Sequence, residues 1–164
     1  MNDRALSRLL IENVAHRPGR GSWHGGPTVV GALRGVSARE ALSRPAPGRH
    51  SIWELALHIA YWHHTITQRL RGGEREPFPR SPANWPAVPR QPDEAAWARD
   101  RALVRAKHLE VAAAIRAVPA TAYGRRPAGN RKWTIGETIL GAAQHEAWHT
   151  GQIQLLKRLS QARH

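Results

Sequence analysis

Six prolines, Pro77, Pro79, Pro82, Pro86, Pro89 and Pro92, divide this chain more sharply than any other feature. Each lacks a backbone N–H and fixes φ, so residues 72–92 can form neither a helix nor a central strand. About twenty residues without regular structure is long for a compact domain, where connections have a median near 4–6. Such a length suits a crossover that runs along a helical molecule and joins two helices pointing the same way. A linker between independent domains is the competing reading. The flanking pieces are too short to stand alone, so a single domain over 1–164 is expected.

The sequence on either side reads as helix. Leu6, Leu9, Leu10 and Val14 are spaced for a first helix over 3–15, closed by His16-Arg17-Pro18-Gly19. Residues 17–50 are rich in Gly and Pro. Within them Ser37 and Glu40 have the form of a capping box, which opens a short helix to about Ser43. A second capping box, Ser51 and Glu54, begins a long helix. Ile52, Leu55, Ile59, Trp62, Ile66 and Leu70 follow at steps of three and four, up to Arg71-Gly72-Gly73. A third helix is expected over 93–117 with Trp97, Leu103 or Val104, Val111 and Ile115 inward, stopped by Pro119. Thr134 and Glu137 open a fourth helix that runs to about Leu159. The predicted fold class is all-α: a four-helix bundle with a long crossover between helices 2 and 3.

Composition removes several chemistries. There is no Cys, so the chain itself supplies no disulfide, thiolate nucleophile, zinc ribbon or iron–sulfur ligand. Lys and Arg number 25 against 12 Asp and Glu, a net charge of +13. A nucleic-acid partner is therefore one hypothesis. Only Lys107, Lys132 and Lys157 are lysines, however, and the arginines are dispersed. That reads as the codon bias of a GC-rich genome rather than a binding stripe, and nucleic-acid binding is not the favoured expectation. The N-terminal stretch lacks an apolar signal core, and no run approaches the roughly 18 apolar residues of a membrane span. A cytoplasmic protein with no membrane partner is expected.

The chain has ten His. His145 and His149 are four apart on the fourth helix, which stacks them on one face with Cβ atoms about 5–6 Å apart. They lie on the apolar stripe Ile135, Ile139, Ala142, His145, His149, Ile153, Leu156. A metal is one reason for two imidazoles to face a core; chance pairing in a His-rich chain is the other. The string His145-Glu146-Ala147-Trp148-His149 also has the H-E-x-x-H form of zinc proteases, where the Glu is a general base. Downstream only His164 remains as a third ligand, which directs the search upstream and toward a bundle site. The best upstream candidate is His58, at the border of the second helix's apolar face. Its other reading is a core-edge imidazole hydrogen-bonded to a neighbouring helix. His63 and His64 are turned roughly 140° and 120° from His58 and are expected at the surface or rim. His16, His24, His50 and His108 have no partner at ligand spacing.

Three segments resemble the DinB-like (damage-inducible) family of metal-dependent hydrolases. They are Ser51-Ile52-Trp53-Glu54-Leu55-Ala56-Leu57-His58-Ile59-Ala60-Tyr61-Trp62, Trp133-Thr134-Ile135-Gly136-Glu137, and Gln144 through Ile153 with its Gly151-Gln152 step. The resemblance implies a four-helix bundle with a crossover and a divalent metal, often zinc or nickel, held by His58, His145 and His149. It also brings in thiol-dependent relatives, mycothiol-dependent isomerases and bacillithiol transferases, and members that are often homodimers.

A three-His metal site has an open position. There a water can be acidified into a nucleophile, which makes a hydrolase, or an external thiol can be held as thiolate, which makes a transferase or isomerase. Without Cys, the thiol must come as a cosubstrate. Glu146 is a candidate general base or ligand-orienting residue, or else a solvated side chain. Gln152 is a candidate hydrogen-bonding partner for a metal-bound group, or else packs. Arg125, Arg126 and Arg131, with Lys132, precede the ligand helix and are candidates to grip an anionic small-molecule substrate or cofactor, or else form a solvated loop.

Overall fold

The computed structural model describes residues 25–127 and 132–161, with residues 5, 8, 9, 12 and 13 of the N-terminal segment. These five residues are helical; Leu6, Leu10 and Val14 of the predicted first helix lie outside the described residues. The other helices are α1 (Val29–Ala32), α2 (Ala38–Leu42), α3 (Ile52–Arg71), α4 (Glu94–Ala117) and α5 (Ile135–Gln161), with a 3-10 turn at Ala120–Ala122. No strand occurs among the described residues, and the fold is all-α as expected. None of the helices is long and apolar enough to cross a membrane, among the described residues.

The predicted helix starts carry their caps. Ser51 Oγ accepts from the Glu54 N–H, and Glu54 Oε2 accepts from the Ser51 N–H at 2.8 Å. Ser37 with Glu40 and Thr134 with Glu137 repeat the reciprocal pair at α2 and α5. Each box satisfies amide groups that the first helical turn cannot. At its other end α3 closes on Gly72, whose φ of 69° is in the left-handed region that favours glycine. The four-residue α1 was not predicted. It is too short to show periodicity, and its signal is only the cap Thr28, whose Oγ1 accepts from Gly31 N–H.

Side-chain pairings fix the helix directions. Trp53 packs on Trp97 and donates to Asp100, His63 faces His108, and Ile66 packs with Val111 and Ile115. Both numbers rise together, so α3 and α4 run parallel, as the length of the connector allows. His58 meets His145 and His149, His63 meets Glu146, and Ile66 packs with Ile139 and Ala142. Here one number rises as the other falls, so α5 runs antiparallel to α3.

Helix α3 is consequently the central rod. It is covered by α4, by α5 and by the 72–92 connector, which returns along it. That corrects one expectation. His63 and His64 are not rim residues but are 2% and 4% exposed. Rotation about a central helix moves a side chain from one neighbour to another, not to solvent. His63 turns to His108 and Glu146, whereas His64 Nε2 donates to the Glu76 carbonyl of the connector at 2.8 Å.

Candidate metal centre

His58, His145 and His149 come together although 87 residues separate the first two. Their ring centroids form a near-equilateral triangle with sides of 4.5, 4.9 and 5.0 Å. One nitrogen from each ring lies within 4.8 Å of the others. Tetrahedral ligands at 2.0–2.1 Å from a metal are roughly 3.3 Å apart; the Nε2 atoms of His58 and His145 are 3.1 Å apart.

Hydrogen bonds select the nitrogen that each ring presents. His58 Nδ1 lies 2.7 Å from the backbone oxygen of Asn84. A carbonyl only accepts, so Nδ1 carries the proton and Nε2 keeps a lone pair in the neutral ring. His149 Nδ1 donates in the same way to Gln152 Oε1 at 2.7 Å. Metal-bound imidazoles commonly have their second nitrogen held like this. Burial pushes the pKa of His58, His145 and His149 down. At His145 the neighbouring His149, His58 and His63 add to this and take it to about 4. At neutral pH the site is a set of neutral imidazoles whose nitrogens converge, with His145 Nε2 donating to the lone pair of His58 Nε2 at 3.1 Å, a proton that a cation would replace. A divalent cation fits that donor set, and the three His would hold it.

The connector completes the site. Asn84 sits at a φ of 68°, a left-handed conformation that Asn tolerates better than most residues. This places its carbonyl on His58, while its Oδ1 accepts from Trp62 Nε1 at 3.0 Å. Trp85 is stacked between His58 and His50, at centroid distances of 3.9 and 3.7 Å. Neither Asn84 nor Trp85 was singled out from the sequence, because a proline-rich loop has no periodicity to orient its side chains.

Beside His58 and His145 opens a cavity of about 670 Å³ with Trp62, Trp133, Arg69 and Glu137 in its wall. Its size is that of a small-molecule site. The Arg69 guanidinium lies 5.9 Å from the Trp62 ring centre.

The other candidates are placed differently. Glu146 is not solvated: it is 6% exposed and turned into the core. Its Oε1 accepts from the Val29 N–H at 3.1 Å, at the start of α1, and its Oε2 faces His63 and His108. Burial alone would raise its pKa, but the two histidines outweigh that and hold it well below the carboxylate range. Its position one residue after His145 turns it about 100° around α5, away from the three-His triangle. Gln152 acts on His149 rather than packing. Arg125 lines a separate cavity with Leu70 and Ile135, Arg126 is exposed near Glu137, and Arg131 lies outside the described residues. His108, which had no partner by sequence spacing, gains two from other helices.

Fold and site together define a helical protein with three imidazoles that could hold a cation between two antiparallel helices, roofed by a crossover. The DinB superfamily profile matches residues 27–153, and the chain belongs to that superfamily. Searches of curated proteins and of solved structures returned no match.

Proposed function

We propose that this protein is a divalent-metal-dependent enzyme of the hydrolase type, acting on a small and largely apolar substrate. The observation that carries the proposal is the convergence of three neutral imidazoles at the edge of a cavity of about 670 Å³. A metal held by His58, His145 and His149, zinc or nickel as the family resemblance implies, would supply an open position that acidifies a water or a thiol. The chain's own residues then divide the work. Asn84 and Gln152 fix the rings of His58 and His149. Trp62 and Trp133 offer apolar wall to the substrate, and Arg69 offers positive charge for an anionic group.

A second reading, transfer or isomerisation with an external thiol, is favoured by the placement of Glu146. A hydrolase built on H-E-x-x-H uses that carboxylate as base, and here it is engaged by His63, His108 and Val29. A thiol cosubstrate has less need of a base, because it ionises near neutral pH. Metal analysis of the purified protein and of His58→Ala and His149→Ala tests the common premise; unchanged metal content in both variants refutes it. Incubating the metal-loaded protein with activated esters and other electrophiles, with and without low-molecular-weight thiols, separates the reactions. Turnover without thiol supports hydrolysis, and a strict thiol requirement refutes it.

The proposed assembly is a homodimer. Trp148, Leu155 and Leu159 share one stripe of α5 and are 71%, 58% and 43% exposed. Sedimentation of the wild type as a dimer and of Trp148→Glu as a monomer is expected; a monomeric wild type refutes it.

A further inference from the structure

We propose that His63, His108 and Glu146 form a second metal site, buried and structural, which ties α3, α4 and α5 together in the core. The three residues come one from each long helix, and all are buried. Their ligating atoms lie within 4.8 Å of one another. Glu146 Oε2 is 3.0 Å from His63 Nε2 and 3.5 Å from His108 Nδ1. Ligands about 2.1 Å from a common ion are roughly 3.0 Å apart in octahedral and 3.4 Å apart in tetrahedral coordination. The two observed separations match that range.

Alignment favours an ion over a proton. A shared proton lies on the line between nitrogen and oxygen, whereas a metal lies off that line, at the point where three lone pairs meet. Glu146 Oε2, both ring nitrogens of His63 and Nδ1 of His108 are buried and make no hydrogen bond of acceptable geometry, despite the short distances. Buried polar atoms are nearly always satisfied, and orphans gathered in one place point to a missing ligand. Two imidazoles and one carboxylate suit divalent zinc, iron, cobalt or manganese. Glu146 Oε1 meanwhile accepts from Val29 N–H, which holds the carboxylate in place.

The site is distinct from the three-His centre, and stoichiometry separates the two. The full-length chain is refolded from urea with excess zinc(II), because so enclosed a site exchanges slowly, and is then desalted. Two equivalents are expected for the wild type, one for His149→Ala and one for His108→Ala. The His149→Ala protein should show a melting temperature that depends on the retained metal. Loss of all metal from a helical His149→Ala protein overturns the proposal. A single equivalent that His149→Ala keeps and His108→Ala loses supports the inner site and refutes the outer one. His108→Gln is the second variant, read by the same stoichiometry, should His108→Ala not fold. If it folds and keeps two equivalents, the assignment fails.

Discussion

Gln152 tests how far the proposed three-His metal centre depends on groups that would not touch the metal. Its Oε1 accepts the Nδ1 proton of His149 at 2.7 Å, which turns Nε2 toward His58 and His145. Gln152→Met keeps length and helix propensity and removes the acceptor. Loss of such an orienting partner weakens metal binding by about 10–100-fold, or about 1.4–2.7 kcal/mol. Gln152 is exposed, so the chelator-treated protein should change in stability by no more than about 0.5 kcal/mol. Gln152→Glu restores an acceptor and should bind metal at least as tightly as the wild type. Affinity would be read by competition with a chromophoric chelator, following the equivalent that His149→Ala loses, and apo stability by urea melts. A Gln152→Met protein within twofold of the wild type, or a Gln152→Glu protein as weak as Gln152→Met, would refute the reasoning.

Three further predictions follow from the same contacts. The chelator-treated protein should lose stability as pH falls from about 6.5 toward 4. The folded His145 has its pKa lowered to about 4, and His58 and His149 are lowered as well, whereas unfolded imidazole titrates near 6.5, so the unfolded chain binds more protons in that window. Urea midpoints at pH 7, 6 and 5 should decline, and a flat profile counts against buried neutral imidazoles. At Asn84, glycine keeps the left-handed backbone and loses only the acceptor for Trp62, while alanine also incurs about 1–2 kcal/mol of strain. Stability and metal affinity should rank wild type, then Asn84→Gly, then Asn84→Ala, and the reverse order of the two variants would contradict the geometry. Trp53→Phe removes the Nε1–H that Asp100 accepts at 2.8 Å, leaving the buried carboxylate with Arg80 at 3.3 Å. A cost of about 1–3 kcal/mol, or a melting temperature lower by about 2–10 °C, is expected; an unchanged melting temperature would show that this bond contributes nothing.

The sequence by itself determined the helices α2 to α5. Capping boxes at Ser37, Ser51 and Thr134, three- and four-step spacing in α3, α4 and α5, and the proline run are local signals, because each acts within one or two turns of chain. The same locality placed His145 and His149 on one face and made the connector long enough to join parallel helices. Tertiary structure decided what those faces meet. His63 and His64 looked like rim residues only because a helical wheel cannot tell that α4, α5 and the connector cover three sides of α3. Glu146 reads as a base in the string His145-Glu146-Ala147-Trp148-His149, yet its carboxylate turns to α3, α4 and α1. His108 has no nearby partner in the chain and acquires two in space. Asn84 reaches His58 because an irregular loop lies along the central helix, and no periodic pattern encodes where a loop comes to rest. Short-range hydrogen bonding and burial periodicity are written in consecutive residues, whereas contacts across 26 or 87 residues exist only once three helices have packed.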